Sequence, residues 1–138
     1  MISESIDIDV PFYDVDAYRV VWHGSYPRYF EEARCALLKK IGFTYIDMEK
    51  AGYFFPVIDM HVKYVKPILF QQLIRVTATL VEWEYKLIIR YRIVDANTFE
   101  KLTDGHTHQI AVAMPSEVTQ FQMPSVFSSA IEAYLAHA

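Results

Sequence analysis

The chain has 138 residues, a length that suits one domain spanning residues 1–138, and 53% of them are hydrophobic, which is enough for a sizeable core. Its net charge of −4 argues against a dedicated nucleic-acid binder, which needs a basic face. Cys35 is the single cysteine, which excludes an internal disulfide and a cysteine-based zinc site, so we expect a cytoplasmic protein without a signal peptide or membrane span.

The first predicted element is a strand over residues 6–12. Apolar side chains occupy every second position: Ile6, Ile8, Val10 and Phe12. The acids between them and Pro11 indicate a position near a sheet edge. Asp14 and Asp16 follow, and they point the same way if the chain stays extended there. Acids at a strand end are also common turn formers, so the pair by itself leaves a structural and a functional role open.

The next element is a long amphipathic helix over residues 25–41. Its apolar stripe recurs at helical spacing and consists of Tyr26, Phe30, Ala33, Leu37 and Ile41. Ser25 is the expected N-cap and Pro27 fits the first turn. Gly42 is the expected residue after the helix end.

The remainder of the chain is predicted to be mostly strand. A short helix over 45–50 precedes four strands, over 57–65, 73–83, 87–94 and 102–114, and a last helix runs from Ser125 through Leu135. A single amphipathic helix followed by long strands with short turns predicts an α+β domain. In it, an antiparallel sheet of five strands curls around the long helix.

The loop before the long helix carries the candidate chemistry. His23 lies just before the helix, where free N–H groups and the helix dipole attract developing negative charge. Such a helix end can act as an oxyanion hole, and a nearby carboxylate can attack a carbonyl carbon or activate water. Tyr18 and Arg19, in the same loop, could shape the substrate entrance, and Arg19 could meet a phosphate.

Two further histidines have the spacing of a metal pair. His106 and His108 lie two residues apart, which puts both imidazoles on one face of a strand. Neither an acid nor another histidine is clearly linked to them in the sequence. We therefore expect neither a metal site nor a cofactor.

The loop and the long helix resemble the signature of hotdog-fold acyl-CoA thioesterases of the 4-hydroxybenzoyl-CoA thioesterase type. The resemblance is carried by Asp14-Val15-Asp16-Ala17, Val20-Val21-Trp22-His23-Gly24-Ser25-Tyr26 and Tyr29-Phe30-Glu31-Glu32-Ala33-Arg34. Tyr64-Val65-Lys66-Pro67 is similar to the family's Tyr-x-x-Pro. The resemblance implies a hotdog fold, in which a curled antiparallel five-stranded sheet wraps around one long central helix.

The resemblance also implies a reaction and its residues. An acyl thioester of CoA or of an acyl-carrier protein would be hydrolysed to free acid and thiol. Asp16 would be the nucleophile or general base, and His23 would polarise the carbonyl through its backbone N–H and orient substrate or water through its side chain. The implied substrate-binding residues are Tyr18, Arg19, Trp22, Gly24, Tyr26 and Lys66. Homodimers or homotetramers with active sites at the dimer interface are implied too, and they would account for an aromatic content of 15%.

The sequence departs from the family pattern at three places. Tyr18-Arg19 stands where the family has two small residues, Ser25 replaces the usual Asn, and an acid often found at the end of the last strand is missing near Ala113-Met114. The bulky Tyr18-Arg19 motivates an alternative hypothesis, a non-catalytic acyl-binding accessory protein of a lipid or polyketide pathway. A hotdog dehydratase is a third hypothesis, and it would use a different placement of His and Asp.

Overall fold

A computed structural model describes residues 1–137. The elements in chain order are β1 (Ser3–Asp9), α1 (Tyr26–Ile41), α2 (Tyr45–Lys50), β2 (Tyr53–Phe54), β3 (Val57–Tyr64), β4 (Leu73–Glu82), β5 (Leu87–Asp95), β6 (Lys101–Gln109), β7 (Val112–Ala113), β8 (Val118–Thr119) and α3 (Ser125–Ala136). Two 3₁₀ turns, Phe12–Asp14 and His23–Ser25, precede α1. Among residues 1–137, no helix combines the length and the apolar character needed to cross a membrane.

The main sheet has five strands in the order β1-β4-β5-β6-β3, and every neighbouring pair is antiparallel. A second, small sheet consists of β2, β7 and β8. The long helix α1 packs against the main sheet, with most of its contacts to β1 and β4. The predicted α+β architecture, one long helix on an antiparallel five-stranded sheet, is confirmed.

The core lies between α1 and the sheet. Residues one helical turn apart on α1 are fully buried: Tyr29, Phe30, Ala33 and Leu37. The ring of Phe30 stacks on Tyr91 of β5, with centroids 4.4 Å apart. Gly105 of β6 makes this approach possible, because a Cβ there would lie 2.6 Å from Phe30 Cζ and 2.7 Å from the His61 carbonyl oxygen. The helix and the sheet are therefore in direct contact at Gly105.

The chain before α1 differs from the prediction. β1 ends at Asp9, three residues earlier than expected, and a 3₁₀ turn over Phe12–Asp14 follows. The extended chain that would make Asp14 and Asp16 point the same way is therefore interrupted at Asp14. Ser25 does not cap α1 through its side chain, because it already has helical backbone angles and its hydroxyl donates to the Asp14 carbonyl oxygen at 3.3 Å.

The last predicted strand is also shorter than expected. β6 stops at Gln109 and the chain resumes as β7 in the small sheet. At the break the Gln109 side-chain amide donates to the Phe55 carbonyl oxygen at 2.6 Å, and the Ile110 N–H donates to the Pro56 carbonyl oxygen at 3.3 Å. The chain changes its pairing partner at this point. The alternation of apolar and polar residues in the sequence does not predict this change.

Strand β3 forms one edge of the main sheet and pairs with β6 on one side. It is exposed along nearly its whole length, on both faces. Its large exposed apolar residues are Val57, Ile58, Met60 and Tyr64. An open edge that carries such side chains is unusual for a monomer, and it leaves a row of backbone groups without strand partners.

Candidate active site

Asp14 is the buried anchor of the loop before α1. The residue is 4% exposed, and its carboxylate accepts a hydrogen bond from the Tyr29 hydroxyl at 2.7 Å. It also forms an ion pair with Arg28, and its carbonyl oxygen accepts the Trp22 N–H at 2.9 Å. Burial, together with the hydrogen bond to the carboxylate, raises the pKa of Tyr29. The carboxylate thus holds the loop on α1 and the backbone carbonyl oxygen closes the loop, so Asp14 has a structural role.

Asp16 lies in a tight turn and remains partly accessible. Its N–H donates to the Val20 carbonyl oxygen, and its own carbonyl oxygen accepts the Arg19 N–H, both at 2.9 Å. Carboxylate oxygen Oδ1 accepts the Tyr18 N–H at 2.8 Å. This bond fixes the orientation of the side chain. Unlike the Asp14 carboxylate, the Asp16 carboxylate lines an open cleft.

The cleft has a volume of about 340 Å³. It is lined by Asp16, Val20, Val21, His23, Tyr26, Tyr64, Val65, Lys66 and Pro67. Four of the residues singled out in the sequence meet here: Asp16, His23, Tyr26 and Lys66. The other five were not named as site residues, although the Tyr-x-x-Pro motif at the end of β3 was a signal for three of them.

Aromatic rings form part of the cleft wall. Tyr26 is buried, and its ring meets the ring of Tyr64 edge-on, with centroids 4.8 Å apart. Burial raises the pKa of Tyr26, and the neighbouring Tyr64 adds to this effect. Tyr26 is therefore neutral at physiological pH, and it contributes an aromatic ring to the cleft wall.

The start of α1 supplies hydrogen-bond donors beside the cleft. In the 3₁₀ turn that leads into the helix, the Ser25 N–H donates to the Trp22 carbonyl oxygen at 2.9 Å. Within residues 1–137, no acceptor is found for the N–H groups of His23 and Gly24. Free donors at the positive end of a helix are suited to a developing oxyanion.

Four other predicted binding residues lie outside the cleft lining. Tyr18 is 87% exposed, and Arg19 is exposed with a left-handed backbone at φ 62°. The indole of Trp22 covers Gly24 so closely that no Cβ fits there without moving the ring. Substrate contact by Tyr18, Arg19, Trp22 and Gly24 stays a prediction.

Lys66 stands at the edge of the cleft and pairs with Glu100. Its ammonium lies 2.9 and 3.0 Å from the two carboxylate oxygens. Both side chains are about half exposed. Exposed pairs of this kind contribute roughly 0–1 kcal/mol, so an anionic ligand can compete for the ammonium group.

A larger cleft of about 490 Å³ lies between α3 and the end of β4. Its lining includes Glu82, Glu84 and Glu132. Three carboxylates would repel an anionic ligand. The smaller cleft at the start of α1 instead brings a carboxylate, a histidine and a lysine together.

Comparisons with known proteins show the family to which the chain is related. A family model described as the thioesterase-like superfamily matches residues 10–130. A Bacillus subtilis protein named "Putative acyl-CoA thioesterase YneP" is 33% identical over 82% of this chain and 72% of the relative. The structure of a DHNA-CoA thioesterase from Staphylococcus aureus is similar at a TM-score of 0.87 and 29% identity, covering 99% of this chain and 91% of that one.

A 1,4-dihydroxy-2-naphthoyl-CoA thioesterase from Synechocystis has a similar fold, with a TM-score of 0.83 at 18% identity over 94% of this chain and 95% of that one. At that identity the likeness concerns the fold alone. The structural likenesses confirm the predicted hotdog fold.

Proposed function

This chain belongs to the thioesterase-like superfamily and hydrolyses acyl thioesters, and from that premise we propose that Asp16 is its catalytic carboxylate and the start of α1 its oxyanion hole. The observation that carries the proposal is the shared cleft, which Asp16 and His23 both line. Asp14, the other acid of the motif, is buried in contacts with α1 and is not free to react.

In the proposed reaction the thioester carbonyl oxygen points to the N–H group of His23 at the start of α1. Asp16 either attacks the carbonyl carbon or removes a proton from an attacking water. The negative charge that develops on the oxygen is stabilised by this donor and the helix dipole, an effect worth about 3–4 kcal/mol per good donor. If Asp16 activates water, the C–S bond breaks to give the acid, and the proton taken from water goes to the thiolate. If Asp16 attacks, the C–S bond breaks to give an anhydride of Asp16 and a thiolate. Water then hydrolyses that anhydride to the acid and free Asp16, and a proton from this water goes to the thiolate.

We propose acyl-CoA as the substrate, with aromatic acyl groups as the first class to test. The rings of Tyr26 and Tyr64 offer apolar surface to a flat acyl group. The name of the Staphylococcus aureus structure, a DHNA-CoA thioesterase, supports this choice. In this proposal Lys66 exchanges its exposed Glu100 partner for a phosphate of CoA.

The binding-only alternative loses its motivation in this geometry. It rested on Tyr18 and Arg19, and neither side chain lines the cleft. The cleft is open, and none of its lining residues closes it.

We infer a cytoplasmic location from the single free cysteine, Cys35, which suits a reducing compartment.

The decisive experiment measures thiol release from aromatic, short-chain and long-chain acyl-CoAs. Wild-type protein should release thiol from at least one class, and Asp16→Asn should lower kcat by about 10²–10⁴-fold. Asp9→Asn is the matched control, since Asp9 is an exposed acid at the end of β1. Unchanged turnover in Asp16→Asn, with wild-type thermal stability, would remove Asp16 from the mechanism.

We further propose a homodimer that pairs through the β3 edge and places the cleft beside the interface. The support is the exposed apolar row on β3 and the position of Tyr64, which ends β3 and also lines the cleft. Changing Ile58 and Met60 to Lys should convert the dimer to monomers in analytical ultracentrifugation. If the wild-type chain sediments as a monomer, the interface is wrong.

A further inference from the structure

Potential metal ligands that are distant in the sequence lie close together on the outer face of the sheet. Asp59 of β3 is the cross-strand partner of His108 on β6, and His61 is the partner of His106. Thr103, Gly105, Thr107 and Gln109, the alternate residues of β6, are buried, and Gly105 lies against Phe30 of α1. Because side chains alternate along a strand, His106 and His108 face away from the helix.

We propose that Asp59, His106 and His108 bind a divalent transition-metal ion of the Zn²⁺ class. One ligand atom from each residue lies within 4.8 Å of the other two. Ligand bonds to Zn²⁺ are about 2.0–2.2 Å, so small side-chain rotations bring the three atoms to one ion. Asp59 is exposed and the imidazoles are half-buried, which leaves the side chains free to make that adjustment.

The donor set fits this class of ion. Two imidazole nitrogens and one carboxylate oxygen suit Zn²⁺, Co²⁺ and Ni²⁺ better than Mg²⁺ or Ca²⁺, which prefer oxygen ligands. The His61 ring stacks on His106 with centroids 5.3 Å apart, and the His106 and His108 rings are 5.2 Å apart. Water or His61 completes the coordination.

The positive charge of Arg90 lies near the proposed site and opposes the binding of a cation. Arg90 of β5 is the cross-strand partner of His106, on the side away from β3. No carboxylate within residues 1–137 forms an ion pair with Arg90, whereas the neighbouring Arg92 pairs with Asp104 at 3.3 Å. Removal of the Arg90 charge should therefore tighten metal binding.

The site is separate from the cleft and does not depend on the proposed reaction. None of its three ligands lines the cleft with Asp16 and His23. Since Asp59 lies on the edge strand and both histidines lie on β6, a bound ion ties the edge strand to the interior of the sheet. Its expected effect is on stability rather than on turnover.

The test is calorimetric titration of the full, EDTA-treated protein with ZnCl₂ in a non-chelating buffer. We expect one Zn²⁺ per chain. His106→Gln combined with His108→Gln should weaken binding by about 100-fold or more, since even loss of a supporting group costs 10–100-fold. His137→Gln, which removes a histidine at the end of α3, should bind as wild type does. Arg90→Gln should bind more tightly.

Two further measurements separate a true site from nonspecific binding. Zn²⁺ should raise the melting temperature of the wild-type chain and of Asp16→Asn, but not that of the double histidine variant. Co²⁺ should give visible absorption bands in the wild type that the single change Asp59→Asn alters. Absence of Zn²⁺ binding by the wild type, or unchanged binding by a folded double variant, overturns the proposal, and neither result bears on thioester hydrolysis.

Discussion

The Tyr29 hydroxyl donates a 2.7 Å hydrogen bond to the carboxylate of Asp14 and so joins the first turns of α1 to the loop that carries Asp16. Both groups are buried. Two acids separated by one residue thus have different roles. Asp14 holds the loop in place, and Asp16 remains accessible at the cleft.

Asp14→Ala should destabilise the protein by about 2–3 kcal/mol. The reason is that the Tyr29 hydroxyl loses its charged acceptor while it stays buried. Urea denaturation measures the change, and Asp9→Ala, an exposed site, should stay within about 0.5 kcal/mol of wild type. Asp16→Asn should leave stability unchanged while it lowers kcat. Equal stability of Asp14→Ala and wild type would show that the loop does not need this anchor.

Arg19→Gly should stabilise the protein by about 0.5–1 kcal/mol. Arg19 has a left-handed backbone at φ 62°, which is strained for a residue with a Cβ and unstrained for glycine. Arg19→Ala is the matched control, because it removes the charge but keeps the Cβ. Thermal melts should therefore show a gain for Gly but none for Ala. Equal gains for both would point to the charge rather than the backbone.

Gly105→Ala should cost about 1–3 kcal/mol through overpacking. The new methyl group would lie 2.6 Å from Phe30 Cζ and 2.7 Å from the backbone oxygen of His61. The Phe30 ring can shift, but the backbone oxygen cannot move without disturbing the β3–β6 pairing. In a Phe30→Leu background the cost should fall only partly. A full recovery there would contradict the role given to the His61 carbonyl group.

Asp95 should make the free energy of unfolding depend on pH in the acid range. Its carboxylate accepts the Asn97 and Thr98 N–H groups and the Gln72 side-chain amide at 2.8–2.9 Å. These bonds, that from Gln72 foremost, lower the pKa of Asp95 from 3.8 to about 2. Because the folded-state pKa is depressed, this contribution is complete above about pH 4 and is lost as the pH falls towards 2.

Melting temperatures of wild type and Asp95→Asn between pH 5 and pH 2 test this linkage. The variant should lose less stability than wild type over that interval, since it has no carboxylate to protonate. Gln72→Leu, which removes one of the three donors, should fall between them. Parallel curves for wild type and Asp95→Asn would show that other groups control acid unfolding.

The fold was predictable from the sequence because its main signals are local and strong. The stripe from Tyr26 to Ile41 defines α1, and alternating runs define the central strands. The errors occurred where partners distant in sequence decide the conformation. β1 ends before Asp14, which bonds to Tyr29 of α1, and β6 ends at Gln109, whose side chain bonds to Phe55.

The candidate site was predictable only in part for a similar reason. The motif pointed to Asp16, His23, Tyr26 and Lys66, which meet in one cleft. It could not show that Tyr18 and Arg19 turn out to solvent, since that depends on the turn closed by Asp16. The pairing of Asp59 with His108 depends on strand register across β3 and β6, which are far apart in the chain.

The open edge of β3 has a consequence for folding and aggregation. A newly folded monomer would offer this strand as a template to any extended chain, because its backbone groups face solvent beside Ile58 and Met60. Charged or ionisable residues at every second position, Asp59, His61 and Lys63, interrupt the apolar run and disfavour stacking into fibrils. β3, the strand proposed to pair two copies of the chain, is thus also the strand that most needs protection against pairing with an unrelated extended chain.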